Sequence, residues 1–305
     1  MPFSSQIQYL TNKQIDKTKW DKCIAEAPNG LIYACSFYLD TMAKHWDALI
    51  FNDYEAVMPL TWNKKYGIHY LYQPAFAAQL GVFGKKLNYP LINSFINAIP
   101  NKFKFAEIYL NNGNILEHGD EFMLRTNYVL SLNRSYEELV AGYRENHQRN
   151  IKKTFQAGYS VKKDIAVEEI IRINKEQINA GRLPEEDYQR FKNLFYLLKQ
   201  KQLAETYAIV NEQNTIMASC VFFYSHNRAY YILVGNTPDG KTIGASHALI
   251  DAFIKDNSGK NLILDFEGSD IRNLAFFYGG FGAKEELYPF LKINKLPFYL
   301  KWLKK

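Results

Sequence analysis

The stretch NLILDFEGSDIRNLAFFYGGFGAKEELYPF, residues 261–290, decides how the rest of the chain is read. Its apolar start, Leu262 to Leu264, has the length and branching of a short buried strand. Alternation puts Ile263 and Asp265 on one face of that strand and Leu262, Leu264 and Phe266 on the other. Asp265 and Glu267 then share a direction at the strand's carboxyl end, just before the turn-forming pair Gly268-Ser269. A helix over about 271–278 carries Phe276, Phe277 and Tyr278, and Gly279, Gly280 and Gly282 let the chain bend sharply behind it. A closing strand follows over 286–293. Two carboxylates in such a place have two readings. Asp265 either accepts N–H bonds from the turn that follows it, or lines a cleft where burial tunes its proton affinity.

Upstream of this stretch, ETYAIVN, TIMASCVFFYS and RAYYILVG read as three strands separated by turns. Ala245, Ala248, Leu249, Ala252 and Phe253 then recur at spacings of three and four, the mark of a helix packed on one face. Helices are expected over 167–178 and 185–200, a short strand over 160–164, and a helical run from the capping box Ser135-Tyr136-Glu137-Glu138, broken near 146–148. The first part of the chain repeats this order. Helices over 14–26 and 36–44, with Ser36 as N-cap, precede strands over 46–51, 55–62 and 68–74, a helix over 91–99 and strands over 103–110 and 122–132. No residue-level repeat accompanies this repeat of order. The chain therefore divides into 1–133 and 134–305, without a Gly/Ser linker, so the two parts are expected to pack closely.

Composition narrows the class. The 305 residues are 47% hydrophobic and 22% charged, with 22 Tyr and 21 Phe, enough to build full cores. No run approaches the roughly 18 apolar residues of a spanning helix, and no signal-peptide pattern opens the sequence. Cys23, Cys35 and Cys220 have neither metal spacing nor a disulfide framework, so a reduced, cytoplasmic protein is expected. The formal charge of +6 lies mostly in the second part, where 25 Lys+Arg face 20 Asp+Glu, against 12 and 11 in the first. That imbalance favours an anionic partner but is too small to imply stable DNA binding. His/Glu metal motifs, a Walker loop, G-x-S-x-G and a dinucleotide fingerprint are all missing, so hydrolase, kinase and dehydrogenase readings fall away.

Helices, three strands, a helix, a strand and, after a short connection, a closing strand, twice over, resembles the β-β-β-α-β-α-β order of the GNAT acyltransferase fold in tandem. That is the plan of the Fem-type aminoacyltransferases of peptidoglycan cross-bridges and of the BioF2-like acyltransferase domains. The residues that carry the resemblance are the basic segment from Arg144 through Lys153 with Ala157-Gly158-Tyr159-Ser160-Val161, then LDFEGS and AFFYGGFGA. It implies an α/β fold of the α+β kind, two GNAT-like domains with mixed, mostly antiparallel sheets flanked by helices. It also implies an N-acyltransferase that moves an acyl or aminoacyl group to an amine acceptor such as a cell-envelope precursor. No tightly bound cofactor is implied; the donor is acyl-CoA or aminoacyl-tRNA, which makes charged tRNA a candidate partner.

Such a reaction needs an oxyanion site, a proton acceptor and a place for the donor's phosphates. Lys241-Thr242-Ile243-Gly244-Ala245-Ser246 matches the GNAT pyrophosphate loop in its middle glycine and basic first residue, and departs from it at Ser246. Lys241, Gly244, Ala245 and Ser246 are thus donor-binding candidates, and the backbone of Val234, Gly235 and Asn236 is the expected oxyanion site. Glu267 or Asp265 is the expected base or amine anchor, with Tyr278 as general acid. Arg149 and Lys152, one helical turn apart, are the acceptor's expected anion-binding pair. Tyr72, Gln73 and Gln79 are expected to line the cleft from the first part. A different class of function also fits: a non-catalytic protein of this fold that recognises a nucleotide-sugar or other anionic ligand.

Overall fold

A computed structural model describes residues 6–116, 122–177, 183–268 and 270–298. In chain order, the strands are β1 (Ile7–Leu10), β2 (His45–Phe51), β3 (Ala56–Lys65), β4 (Ile68–Leu71), β5 (Phe83–Gly84), β6 (Phe103–Tyr109) and β7 (Phe122–Ser131). They continue as β8 (Ser160–Lys163), β9 (Ala204–Val210), β10 (Ile216–Ser225), β11 (Arg228–Asn236), β12 (Ile263–Asp265) and β13 (Lys284–Asn294). The helices are α1 (Lys17–Glu26), α2 (Ser36–Met42), α3 (Tyr89–Asn97), α4 (Tyr136–Ala141) and α5 (Glu145–Gln156). After these come α6 (Val167–Gln177), α7 (Glu185–Gln200), α8 (Pro238–Ile243), α9 (Ala245–Asn257) and α10 (Arg272–Gly279).

Two compact units form, residues 1–125 with 287–305, and residues 126–286. In the first, the strand order is β1-β2-β3-β4-β6-β13; in the second it is β8-β9-β10-β11-β12-β7. The orders correspond place by place. Each is antiparallel except for one parallel pair, β4 with β6 and β11 with β12, whose strands are joined through helices, as parallel neighbours require. The expected repeat of architecture is therefore present at the level of strand order.

The single boundary at 133 needs correction. The last position of the first sheet is filled by β13, whose residues 290–294 pair with β6, and that of the second by β7, whose residues 129–131 pair with β12. Each unit takes one strand from the far side of the expected boundary. Smaller corrections have local causes. The helical run breaks at 142–144, where Gly142 caps α4 and Arg144 caps α5, instead of at 146–148. Ser36 is the first residue of α2, and its N–H and hydroxyl bond Asp21; Cys35 is the N-cap. The helix expected from 14 starts after Asp16, whose carboxylate accepts the N–H groups of Thr18 and Lys19. The four-residue β1 and the six-residue α8 were too short to show a period.

The core of the second unit explains its aromatic content. Phe222 and Phe253 stack at 3.7 Å between ring centroids, and Tyr207, Leu249, Leu264, Phe266 and Phe281 pack in the same buried cluster. Fully burying each such side chain is worth about 1.5–3 kcal/mol. The two faces of β12 separate as alternation requires, with Leu264 inside this cluster and Asp265 pointing the other way.

Candidate active site

Strands β11 and β12 pair at only three levels, 228 with 263, 229 with 264 and 230 with 265, although β11 runs on to Asn236. Beyond Asp265 the parallel pair parts, and the chain turns through two left-handed residues, Glu267 at φ +62° and Gly268 at φ +93°. Glycine accepts that conformation freely; glutamate does so at a cost. What holds it is Asp265, whose Oδ1 accepts the Glu267 N–H at 2.9 Å in an Asx-type turn.

The rest of Asp265 is also committed. Oδ1 accepts from Asn127 Nδ2 at 2.9 Å and Oδ2 from Arg228 Nη1 at 2.8 Å. Arg228 in turn bonds both oxygens of Glu286, at 2.7 and 3.1 Å. Burial lifts the Asp265 carboxyl above the ordinary aspartate range, and Arg228, with the Glu267 and Asn127 donors, pulls it back in part. With three donors in place, Asp265 acts as an anchor of the turn. Its donors differ from those expected: Glu267 supplies the turn N–H, and the Gly268-Ser269 pair ends in a residue outside those described. Arg228, Asn127 and Glu286 were not singled out from the sequence. A cation opening the apolar strand RAYYILVG, straight after two left-handed residues, His226 and Asn227, was the signal available for the first of them.

Tyr278 lies against the end of β12. Its ring stacks on Phe266 at 4.5 Å and 19°, and it is 8% exposed. Burial, then the nearby Glu267 charge, pushes its hydroxyl pKa well up, so the phenol keeps its proton. Glu267 is therefore near Tyr278, whereas Asp265 points to the opposite face of β12 and meets Glu267 only through its backbone N–H.

The glycine-rich hook behind them docks on the start of α5. Arg144 donates its N–H to Gly280 O at 2.8 Å and Nη1 to Phe276 O at 2.9 Å, with its guanidinium 4.0 Å over the Phe276 ring. His147 Nε2 meets Phe277 O at 2.9 Å, so the carbonyls that end α10 are capped by α5 side chains. Gly280 is needed for contact, not for a turn: a Cβ there would lie 2.1 Å from His147 Cε1. Gly280→Ala should therefore cost about 1–3 kcal/mol, measured by chemical denaturation, because His147 is buried and has no open side to move into. Wild-type stability in that variant would mean the hook docks elsewhere.

His147 also faces His247, with ring centroids 4.6 Å apart. Burial, then the neighbouring imidazole, lowers the His247 pKa to about 4, and burial lowers that of His147. Both are depressed relative to an unfolded histidine, so the unfolded state binds more protons below about pH 6.5. Stability should be level above that pH and fall as pH drops towards 5, and His247→Asn should flatten that fall in melting curves.

The far end of α5 closes the segment expected to cradle phosphates. Lys241, Thr242 and Ile243 form the last turn of α8, Gly244 is its left-handed C-cap at φ +80°, and Ala245 and Ser246 start α9. Thr154 Oγ1 donates to Ile243 O at 2.8 Å and Lys153 Nζ to Thr242 O at 3.3 Å. A Cβ on Gly244 would stand 3.0 Å from Asn150 Cβ. Lys241 is exposed, Ala245 is buried, and Ser246 Oγ donates to Asn236 Oδ1 at 2.7 Å. The 241–246 segment is thus a helix-to-helix corner under α5, where an open loop was expected. Arg149 and Lys152 lie on the exposed side of that same helix.

At the end of β11 the backbone is already used. Asn236 N–H donates to Gln177 Oε1 at 2.7 Å, Val234 O accepts from Asn174 Nδ2 at 2.7 Å, and a Cβ on Gly235 would press on Ile173 at 3.0 Å. Helix α6 covers this edge, so the Asn236 N–H is not available as an oxyanion donor while Gln177 holds it. Tyr72, Gln73 and Gln79 belong to the first unit and are bonded within it. The Tyr72 hydroxyl accepts Lys44 N–H at 2.9 Å, Gln73 bridges Ala77 O and Tyr109 N–H, and the buried Gln79 accepts Asn112 N–H at 3.2 Å. They brace loops there. Among the described residues no group of acids, histidines and cysteines is placed to hold a metal ion, and no helix is long and apolar enough to cross a membrane.

No protein-family model matches the sequence, and no curated protein matches it. Solved structures do match. FemX superposes with a TM-score of 0.64 at 11% identity, over 97% of this chain and 99% of that one. A conserved protein of unknown function from Bacteroides thetaiotaomicron VPI-5482 gives 0.58 at 9%, over 91% and 96%. A tandem GNAT protein from the clavulanic acid biosynthesis pathway gives 0.54 at 9%, over 95% and 99%. At such identities what is shared is the fold: this chain has the tandem GNAT fold of the Fem-type and BioF2-like proteins.

Proposed function

We propose that the protein is an N-acyltransferase that moves an aminoacyl group from charged tRNA to an amine. The observation that carries this reading is the parting of β11 and β12 just past the anchored Asp265, with Glu267 held in a left-handed conformation near Tyr278. The amine nitrogen attacks the ester carbonyl carbon, the new C–N bond forms, and the bond to the ribose oxygen breaks. The attacking amine's proton passes to the Glu267 carboxylate, and the ribose oxygen leaves with a proton from Tyr278. Asp265 positions Glu267 through its backbone N–H. Arg149 and Lys152 hold an anionic group of the acceptor, an amine-bearing envelope precursor fitting that description.

Between the two donors, the departure of 241–246 from the coenzyme loop favours tRNA: Asn150 of α5 packs on Gly244, and Ser246 is bonded to Asn236. Likeness to FemX and to the clavulanic acid pathway protein is consistent with acyl transfer on this fold. The test uses purified protein, calorimetry with acetyl-CoA and longer acyl-CoAs, and transfer assays from bulk charged tRNA to a panel of amine-bearing envelope precursors. Charged tRNA is expected to bind with an affinity that falls steeply with salt and to lose its aminoacyl group to an acceptor. Micromolar acyl-CoA binding abolished by Gly244→Glu would replace the donor. Absence of transfer from either donor would leave a binding protein.

A further inference from the structure

On the β7 side of β12, the second unit has a 360 Å³ pocket lined by Val129, Leu130, Ser131, Arg134, Ile263, Gly282 and Lys284. Its floor lies on the β7–β12 ladder, where Ser131 pairs with Ile263 and Val129 with Asp265, so these side chains share one face. Val129 and Ile263 are partly exposed there, while Leu130 turns into the core and gives the pocket its backbone. Arg134 and Lys284 are both exposed, and neither makes an ion pair with a described residue. The other polar side chain, Ser131, donates to Asn133 Oδ1 at 2.9 Å. Asp265, on the same face of β12, and Glu286 are neutralised in part by Arg228.

We propose that this pocket binds a medium-chain acyl carboxylate, its chain on Val129 and Ile263 and its head group on Arg134 and Lys284. A volume in the ligand range, an apolar floor and two cations among the lining residues are what such a molecule requires. Arginine matches a carboxylate with two parallel N–H bonds, and the lysine adds a second charge. The inference does not use the transfer reaction, so the two stand or fall separately.

The test is calorimetric titration of decanoate, decyl phosphate and decyltrimethylammonium into the full chain, below their micelle concentrations. Decanoate should bind at one site, and the ammonium analogue at least about tenfold more weakly. Arg134→Ala with Lys284→Ala should weaken decanoate about tenfold or more at an unchanged melting temperature, because both side chains are exposed. Val129→Trp, which fills the floor, should remove binding. Equal affinity for the ammonium compound, unchanged affinity in the double variant, or no saturable heat would overturn the proposal. Tighter binding of decyl phosphate than decanoate would overturn the assignment of the head group.

Discussion

Replacing Arg228 by leucine should lower stability by about 3–5 kcal/mol, the usual cost of removing one partner from a buried ion pair. The Arg228 side chain is 12% exposed, and it faces Asp265 at 4% and Glu286 at 16%. Without the guanidinium, two carboxylates share a mostly dry site with Asn127 as their common donor, bonded to Asp265 at 2.9 Å and Glu286 at 3.3 Å. For a chain of this size the loss corresponds to a fall in melting temperature of roughly 10 °C. Arg228→Lys should fall in between, since one ammonium cannot reproduce the contacts to both acids. The deficit should also shrink on acidification from pH 8 to 5, as a carboxyl already lifted by burial takes up a proton and the repulsion ends. The restoring experiment is Arg228→Leu combined with Asp265→Asn and Glu286→Gln, which removes the charges together. A single Arg228→Leu variant that melts within a degree or two of wild type would show that β12 is held by the core face of Leu264 and Phe266 alone.

That network marks where the sequence stopped being legible. Leu262, Leu264 and Phe266 announced a strand with one buried face, and the periodic alanines of α9 announced the helix before it, because both signals are local. The tandem order followed from the same local signals counted twice. The partners of Asp265 are not local. Arg228 reaches it because β11 and β12 are parallel neighbours, and Asn127 because β7 lies on the other side of β12. No spacing within the sequence encodes those adjacencies. The exchange of β7 and β13 escaped for a related reason: ELYPFLKI reads as a strand whichever sheet receives it. At 241–246 the residues matched a loop pattern in part, yet the conformation was decided by α5, whose Thr154, Lys153 and Asn150 meet that segment from a distance along the chain. Gly280 is the clearest case, since a turn glycine and a contact glycine look alike until His147 is seen against it.

Glu267→Gln should reduce turnover by roughly a hundredfold or more, the scale of a lost general base, while melting stays within about a degree of wild type. The amide keeps the shape of the side chain and the left-handed backbone at φ +62°, so only the proton acceptor is lost. Glu267→Gly separates chemistry from structure more sharply. Glycine adopts positive φ without the steric cost, which should leave stability unchanged or raise it by up to about 1 kcal/mol, against a loss of activity at least as large as that of the glutamine variant. Residues held in costly conformations concentrate at functional sites, and Glu267, next to a glycine that already makes the turn, is held in one. If instead the glycine variant is less stable than wild type, the Glu267 side chain is part of the fold. Full turnover in the glutamine variant would have a different meaning. The proton would then leave by another route, and Tyr278, buried against Phe266 with its hydroxyl pKa pushed up, would be the next residue to change.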